Sequence, residues 1–150
     1  MVVEPIIPLA IMTREGFKLY DFLVDSGADF TLLPKHFAFE IGIDLAKCKK
    51  STTLGVEGRG MIIYHASILL RIGDYQSKTR CAFANHDKIP PLLGRLDVFS
   101  LYNITFHAGR RSIIFKKARR ADRMKKEYNF SKGVRGKFFS AEEAELVIKP

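Results

Sequence analysis

Apolar residues in this chain come in short runs, each closed by a turn-forming cluster, and that punctuation restricts the fold more than any other feature. Residues 6–12 and 17–24 flank Thr13, Arg14, Glu15 and Gly16, the pattern of a β-hairpin. A loop of small and acidic residues, 25–29, returns into the apolar run Phe30–Leu33. Pro34 can then open a short helix that places Phe37, Ala38 and Ile41 on one face before Gly42 ends it. Two β-rich runs between 52 and 72 surround a glycine-rich stretch at 55–60. A turn at Gly73 and Asp74 leads to a strand near 78–84. A helical turn at 97–102 precedes a last pair of strands, 104–106 and 112–115. With 47% apolar residues in 150, the chain can enclose one good core but hardly two. The expected fold is mostly β, one domain with an appendage.

Charge locates the appendage. Residues 1–106 carry twelve Lys and Arg against eleven Asp and Glu, whereas residues 107–150 carry thirteen against five. The basicity therefore belongs to the C-terminal part, and the chain divides into a core, 1–115, and a basic extension, 116–150. Ala118, Ala121, Met124 and Tyr128 recur at helical spacing there. Ser140 and Glu143 form a capping box leading a second helix into 144–148. No apolar run approaches the roughly 20 residues that cross a bilayer. The first residues lack a basic segment and are broken by Pro5 and Pro8, so they do not read as a secretory signal and a cytoplasmic location is expected. Cys48 and Cys81 lie in no Cys/His cluster, and His36, His65, His86 and His107 are scattered. Neither a disulfide scaffold, a metal site nor a cofactor is expected.

The segment Phe22 to Asp29 carries the chemistry. An apolar strand delivers the carboxylate of Asp25 onto a tight loop in which Ser26 offers a locking hydroxyl and Gly27 permits close backbone approach. Such a loop can meet its own copy. Two carboxylates about 3 Å apart cannot both ionise, so they share a proton, and one acts as base on a water while the other acts as acid. The combination hydrolyses peptides without metal or covalent intermediate.

With its two apolar residues followed by Asp25, Ser26, Gly27 and Ala28, this segment resembles the catalytic loop of retroviral-type aspartic proteases, the retropepsins. Leu92, Leu93, Gly94 and Arg95, followed by a short helical stretch, resemble the apolar-apolar-Gly-Arg segment beside that loop. The likeness covers residues 6–115. It implies a closed antiparallel barrel with one or two short helices, Asp25 as the catalytic acid, and Ser26 and Gly27 as its supporting loop. It further implies a buried or partly buried ion pair between Asp29 and Arg95. Substrate would be held by Ala28, Asp29 and a flap comprising Gly55, Val56, Glu57, Gly58 and Arg59. Glu57 and Arg59 either select charged substrate side chains or face solvent. Only one Asp-Ser/Thr-Gly occurs in the chain, so the implied enzyme is a homodimeric endopeptidase acting on proteins or peptides. Interface strands could come from Val2–Val3, Ile6–Ile7 or Leu146–Ile148.

Rival chemistries fit less well. A haloacid-dehalogenase phosphatase loop wants a second Asp two positions after the first, where Gly27 stands, and an actin-like kinase needs a chain over twice this length. No Ser or Cys elbow accompanies the histidines. The alternative of a different class is a catalytically silent dimeric β-module binding nucleic acid or an anionic membrane surface through residues 116–137.

Overall fold

The computed structural model describes residues 4–54, 58–118 and 145–148. Ten strands and one α-helix follow in the order β1 (Ile6–Thr13), β2 (Gly16–Val24), β3 (Thr31–Leu33), α1 (His36–Ile41), β4 (Lys49–Leu54), β5 (Gly60–Ile72), β6 (Tyr75–Ala84), β7 (Leu92–Leu93), β8 (Tyr102–His107), β9 (Ser112–Lys117) and β10 (Glu145–Ile148). Seven form one sheet in the order β1-β2-β7-β3-β6-β5-β4, and β10-β9-β8 form a second. β1 also pairs with β5, over Ala10↔Arg71 and Ile11↔Leu70.

The expected strands form, and most extend beyond the sequence estimate. Tyr75–Ala84 runs well past 78–84, because the β5–β6 hairpin pairs continuously from Ile63↔Ala84 to Ile72↔Tyr75. The mostly antiparallel arrangement expected is present, with one correction: two of the pairings are parallel. The two-residue β7 inserts between β2, with which it is parallel, and β3, with which it is antiparallel, while β3 and β6 are parallel. Parallel neighbours need a long excursion of chain between them. Between β3 and β6 the chain runs through α1, β4 and β5, and between β2 and β7 through β3 to β6.

A second correction concerns the C-terminal extension. The capping-box helix expected through 144–148 is absent, because Glu145–Ile148 is a strand paired with β9 from Glu145↔Lys116 to Ile148↔Ile113. An apolar, β-branched run finds an open strand edge there, and tertiary pairing overrides local capping preference. The helix expected around 118–128 lies outside the described residues, as do Gly55, Val56 and Glu57.

One core serves both sheets. Ile7, Leu9, Ile11, Phe22, Leu33, Leu70, Phe83, Leu93 and Phe115 are all at most 1% exposed and belong to a single cluster. Helix α1 buries Phe37 and Ala38 against it, with the Tyr20 and Phe37 rings 4.7 Å apart. Gly42 ends the helix at φ 90°, where its N–H donates to Ala38 O and Phe39 O, a left-handed turn that glycine adopts without strain. The Arg14 N–H donates to Glu40 O at 3.0 Å, and the Tyr20 hydroxyl donates to the Glu40 carboxylate. Together they fasten α1 to the first hairpin.

Candidate active site

Asp25 stands one residue beyond β2, whose last inward residues Phe22 and Val24 are 0% and 4% exposed. The backbone holds that end of the strand from both sides. Leu23 N–H donates to Pro91 O at 2.9 Å, Val24 N–H to Pro5 O at 2.9 Å and Asp25 N–H to Leu93 O at 3.0 Å. The carboxylate is half-buried, while Ser26 and Gly27 are exposed.

The loop is locked by its own backbone. Gly27 N–H donates to Asp25 Oδ1 at 2.9 Å, and Ala28 N–H donates to Asp25 O at 3.2 Å. A Cβ at Gly27 would sit 3.2 Å from that same carboxylate oxygen, so the small residue lets the loop close over the side chain. Among the described residues the Ser26 hydroxyl has no hydrogen-bond partner.

The segment containing β7 lies directly beside this loop. Arg95 N–H donates to Ala28 O at 3.0 Å and Leu96 N–H to Asp29 O at 2.9 Å, joining the two segments backbone to backbone. Gly94 makes the approach possible. It is buried, its N–H donates to the buried Thr31 Oγ1 at 3.3 Å, and a Cβ there would lie 2.1 Å from the carbonyl carbon of Phe30. Leu93, fully buried, pins the segment to the core. Asp29 and Arg95 do form an ion pair, but their side chains are 70% and 54% exposed. The expected burial is therefore corrected. The pair lies on the rim because the backbone bonds alone close the gap between loops, and its side chains extend into solvent.

One supporting pair was invisible in the sequence. Asp97 adopts φ 63°, a conformation costly for a non-glycine residue. Its carboxylate accepts three bonds from Arg80: from the backbone N–H at 3.0 Å, Nε at 2.8 Å and Nη2 at 2.8 Å. The Arg80 side-chain hydrogen bonds hold the Asp97 carboxyl below the usual carboxylate range. This clamp ties the turns after Arg95 to β6. No local pattern could announce it, since the partners are separated by a strand and a loop.

Opposite the loop, β4 and β5 form a hairpin from Lys49↔His65 to Leu54↔Gly60. Gly58 and Arg59 near its tip are exposed, Gly58 at φ 71° with nothing near its Cβ position. At its base the Ser51 hydroxyl and His65 Nε2 are 2.6 Å apart, and the His65 ring meets Phe30 edge-on at 5.6 Å. Phe30 directly follows Asp29, so hairpin base and catalytic-type loop touch. Among the described residues no cluster of His, Cys, Asp and Glu could hold a metal ion.

Comparison with known proteins agrees with this geometry. A family model described as aspartyl protease matches residues 12–96, more than half of the chain and a span that includes both segments of the site. The chain belongs to the aspartyl protease family. No curated protein matches it. Among solved structures, it is similar to a retropepsin-like aspartic protease from Rickettsia conorii, at 23% identity and TM-score 0.53, over 71% of this chain and 95% of that one. It is also similar to EIAV protease complexed with the inhibitor HBY-793, at 20% identity and TM-score 0.49, over 63% and 85% of the two chains. The fold is of the retropepsin-like kind, and membership of the family supports a peptidase.

Proposed function

We propose that this chain is an aspartic endopeptidase active as a homodimer, with Asp25 of each protomer contributing one carboxylate to a shared dyad. The observation that carries the reading is the placement of Asp25: a half-buried carboxylate at the end of a core strand, on a loop fixed by Gly27, Ala28, Leu93 and Arg95. One such loop per chain supplies half of a dyad. The ionised carboxylate takes a proton from water as the water attacks the scissile carbonyl. The protonated carboxylate gives its proton to the carbonyl oxygen, and the pair later returns a proton to the leaving amine.

Substrate binds as an extended strand between the Asp25 loop, where backbone groups of Gly27 and Asp29 hold it, and the flap of residues 55–60, which folds over it. Ser26, exposed and without a hydrogen-bond partner among the described residues, reaches the second protomer's loop in this reading.

The test is cleavage of a denatured protein at about pH 4 to 6, the range in which an acidic pair shares one proton. Activity should follow a bell-shaped pH curve, vanish in Asp25→Asn and be blocked by a pepstatin-like inhibitor. Cleavage undiminished in Asp25→Asn, or a rate flat from about pH 3 to 9, would overturn the reading.

A further inference from the structure

A groove of about 530 Å³ opens where helix α1 meets the β1–β2 turn. Its apolar lining includes Ile43, Leu45 and Phe39, the last 74% exposed. Two cations join them, Arg14 and Lys35. Arg14 is held in place: its N–H donates to Glu40 O at 3.0 Å, its guanidinium lies 5.0 Å from the centre of the Phe39 ring, and its Nε is 3.0 Å from where a Cβ on Gly42 would stand. The missing side chain at Gly42 gives the arginine its seat. The charges around it are unevenly engaged. Asp44 accepts from Ala46 N–H at 3.0 Å and faces Lys47 at 4.0 Å, and Asp87 accepts from His36 N–H at 2.7 Å and lies 2.9 Å from the ring Nδ1. Among the described residues Arg14 and Lys35 form no ion pair, Lys35 acting on Asp87 only at longer range. A guanidinium already ordered, with its donors unused, is a receptor for a carboxylate.

The groove lies far from the Asp25 loop. Arg14 belongs to the turn before β2 and Asp25 follows that strand, so the nine residues Gly16–Val24 separate them by on the order of 25 Å at about 3.3 Å per residue. A twofold axis at Asp25 leaves this end of the hairpin free. Of the candidate interface strands, Ile6 and Ile7 stand at the other end of β1, paired with Leu23 and Phe22, and Leu146–Ile148 pair with β9; Val2–Val3 lie outside the described residues.

We propose that this groove is a second binding site, taking an acidic peptide segment that also carries an apolar residue: its carboxylates meet Arg14 and Lys35, and its apolar side chain packs against Ile43 and Leu45. The inference rests on the endopeptidase reading above and narrows the substrate class to proteins bearing such a segment away from the scissile bond. An extended chain spans at most about 3.5 Å per residue, so groove and cleft can be filled together only when at least about seven residues lie between. The first contact then makes the second intramolecular and lowers KM without altering the chemistry.

The probe is a fluorescent peptide of alternating Asp and Leu, its binding to the Asp25→Asn protein read by anisotropy. Arg14→Glu and Lys35→Glu, each alone, should weaken binding at least about tenfold, and added salt should weaken it with the groove unaltered. Lys78→Glu, an exposed position on β6, should leave binding unchanged, and circular dichroism checks that each variant has folded. In the active protein, the same segment joined to a cleavable peptide by about twelve Gly and Ser residues should lower KM about tenfold with kcat unchanged, whereas a join of about three should not. No binding, binding that survives both charge reversals, displacement by a pepstatin-like inhibitor, tighter binding of an oligothymidylate of equal charge, or a KM indifferent to the join would each overturn the groove assignment and leave the protease reading standing. Groove binding as described in a protein showing no Asp25-dependent cleavage would uphold the site and sink the protease reading.

Discussion

Gly94 and Asp97 show how much of the site depends on single residues. A side chain at Gly94 would collide with the Phe30 backbone, which cannot swing aside as a flexible side chain would. Gly94→Ala should destabilise the protein by about 3 kcal/mol, read as a lowered denaturant midpoint. Gly109→Ala, with nothing within 4 Å, should stay within about 0.5 kcal/mol. Asp97 makes a pH prediction. Its folded-state carboxyl is depressed by Arg80, so its contribution is present above the unfolded value and is lost as pH falls through the folded one. Asp97→Asn should therefore be less stable than the native protein at about pH 7, and the gap should close below about pH 4. Urea midpoints across that range check it; a constant gap would contradict the assignment.

At the level of elements, β8 and β9 each divide their residues between core and surface. Phe115 on β9 is 1% exposed and packs its ring against Tyr102 at 5.7 Å. Phe115→Ala should cost about 3–5 kcal/mol and loosen the sheet that carries β8. Leu19 on β2 is 71% exposed, so Leu19→Thr, which keeps a strand-compatible side chain, should change stability by no more than about 0.5 kcal/mol. Thermal or urea unfolding of the two variants side by side tests the division. Helix α1 was readable from Pro34, its apolar face and Gly42. The strand β10 was not, because the edge of β9 that captures residues 145–148 comes from a distant segment, with Glu145 facing Lys116 and Ile148 facing Ile113.

For the whole molecule, the proposed completion of the site by self-association would link activity, stability and concentration. Anything that binds the folded form stabilises it by mass action, a second protomer included. The melting temperature should rise with protein concentration, and activity per protomer should fall on dilution below the dimer dissociation constant. A melting temperature and specific activity independent of concentration over about a hundredfold range would contradict a reversible dimer.

Local chemistry made much of this protein legible in its amino-acid order. The hairpin at residues 13–16, the helix stop at Gly42 and the acidic loop after β2 each depend on neighbours within a few positions, where steric preference and hydrogen-bonding reach operate. The parallel insertion of β7, the Arg80–Asp97 clamp, the exposure of the Asp29–Arg95 pair and the capture of residues 145–148 as a strand were settled only in three dimensions. Each depends on which distant backbone edge or charged group arrives alongside, and that is fixed by how the whole core closes rather than by any local run of residues.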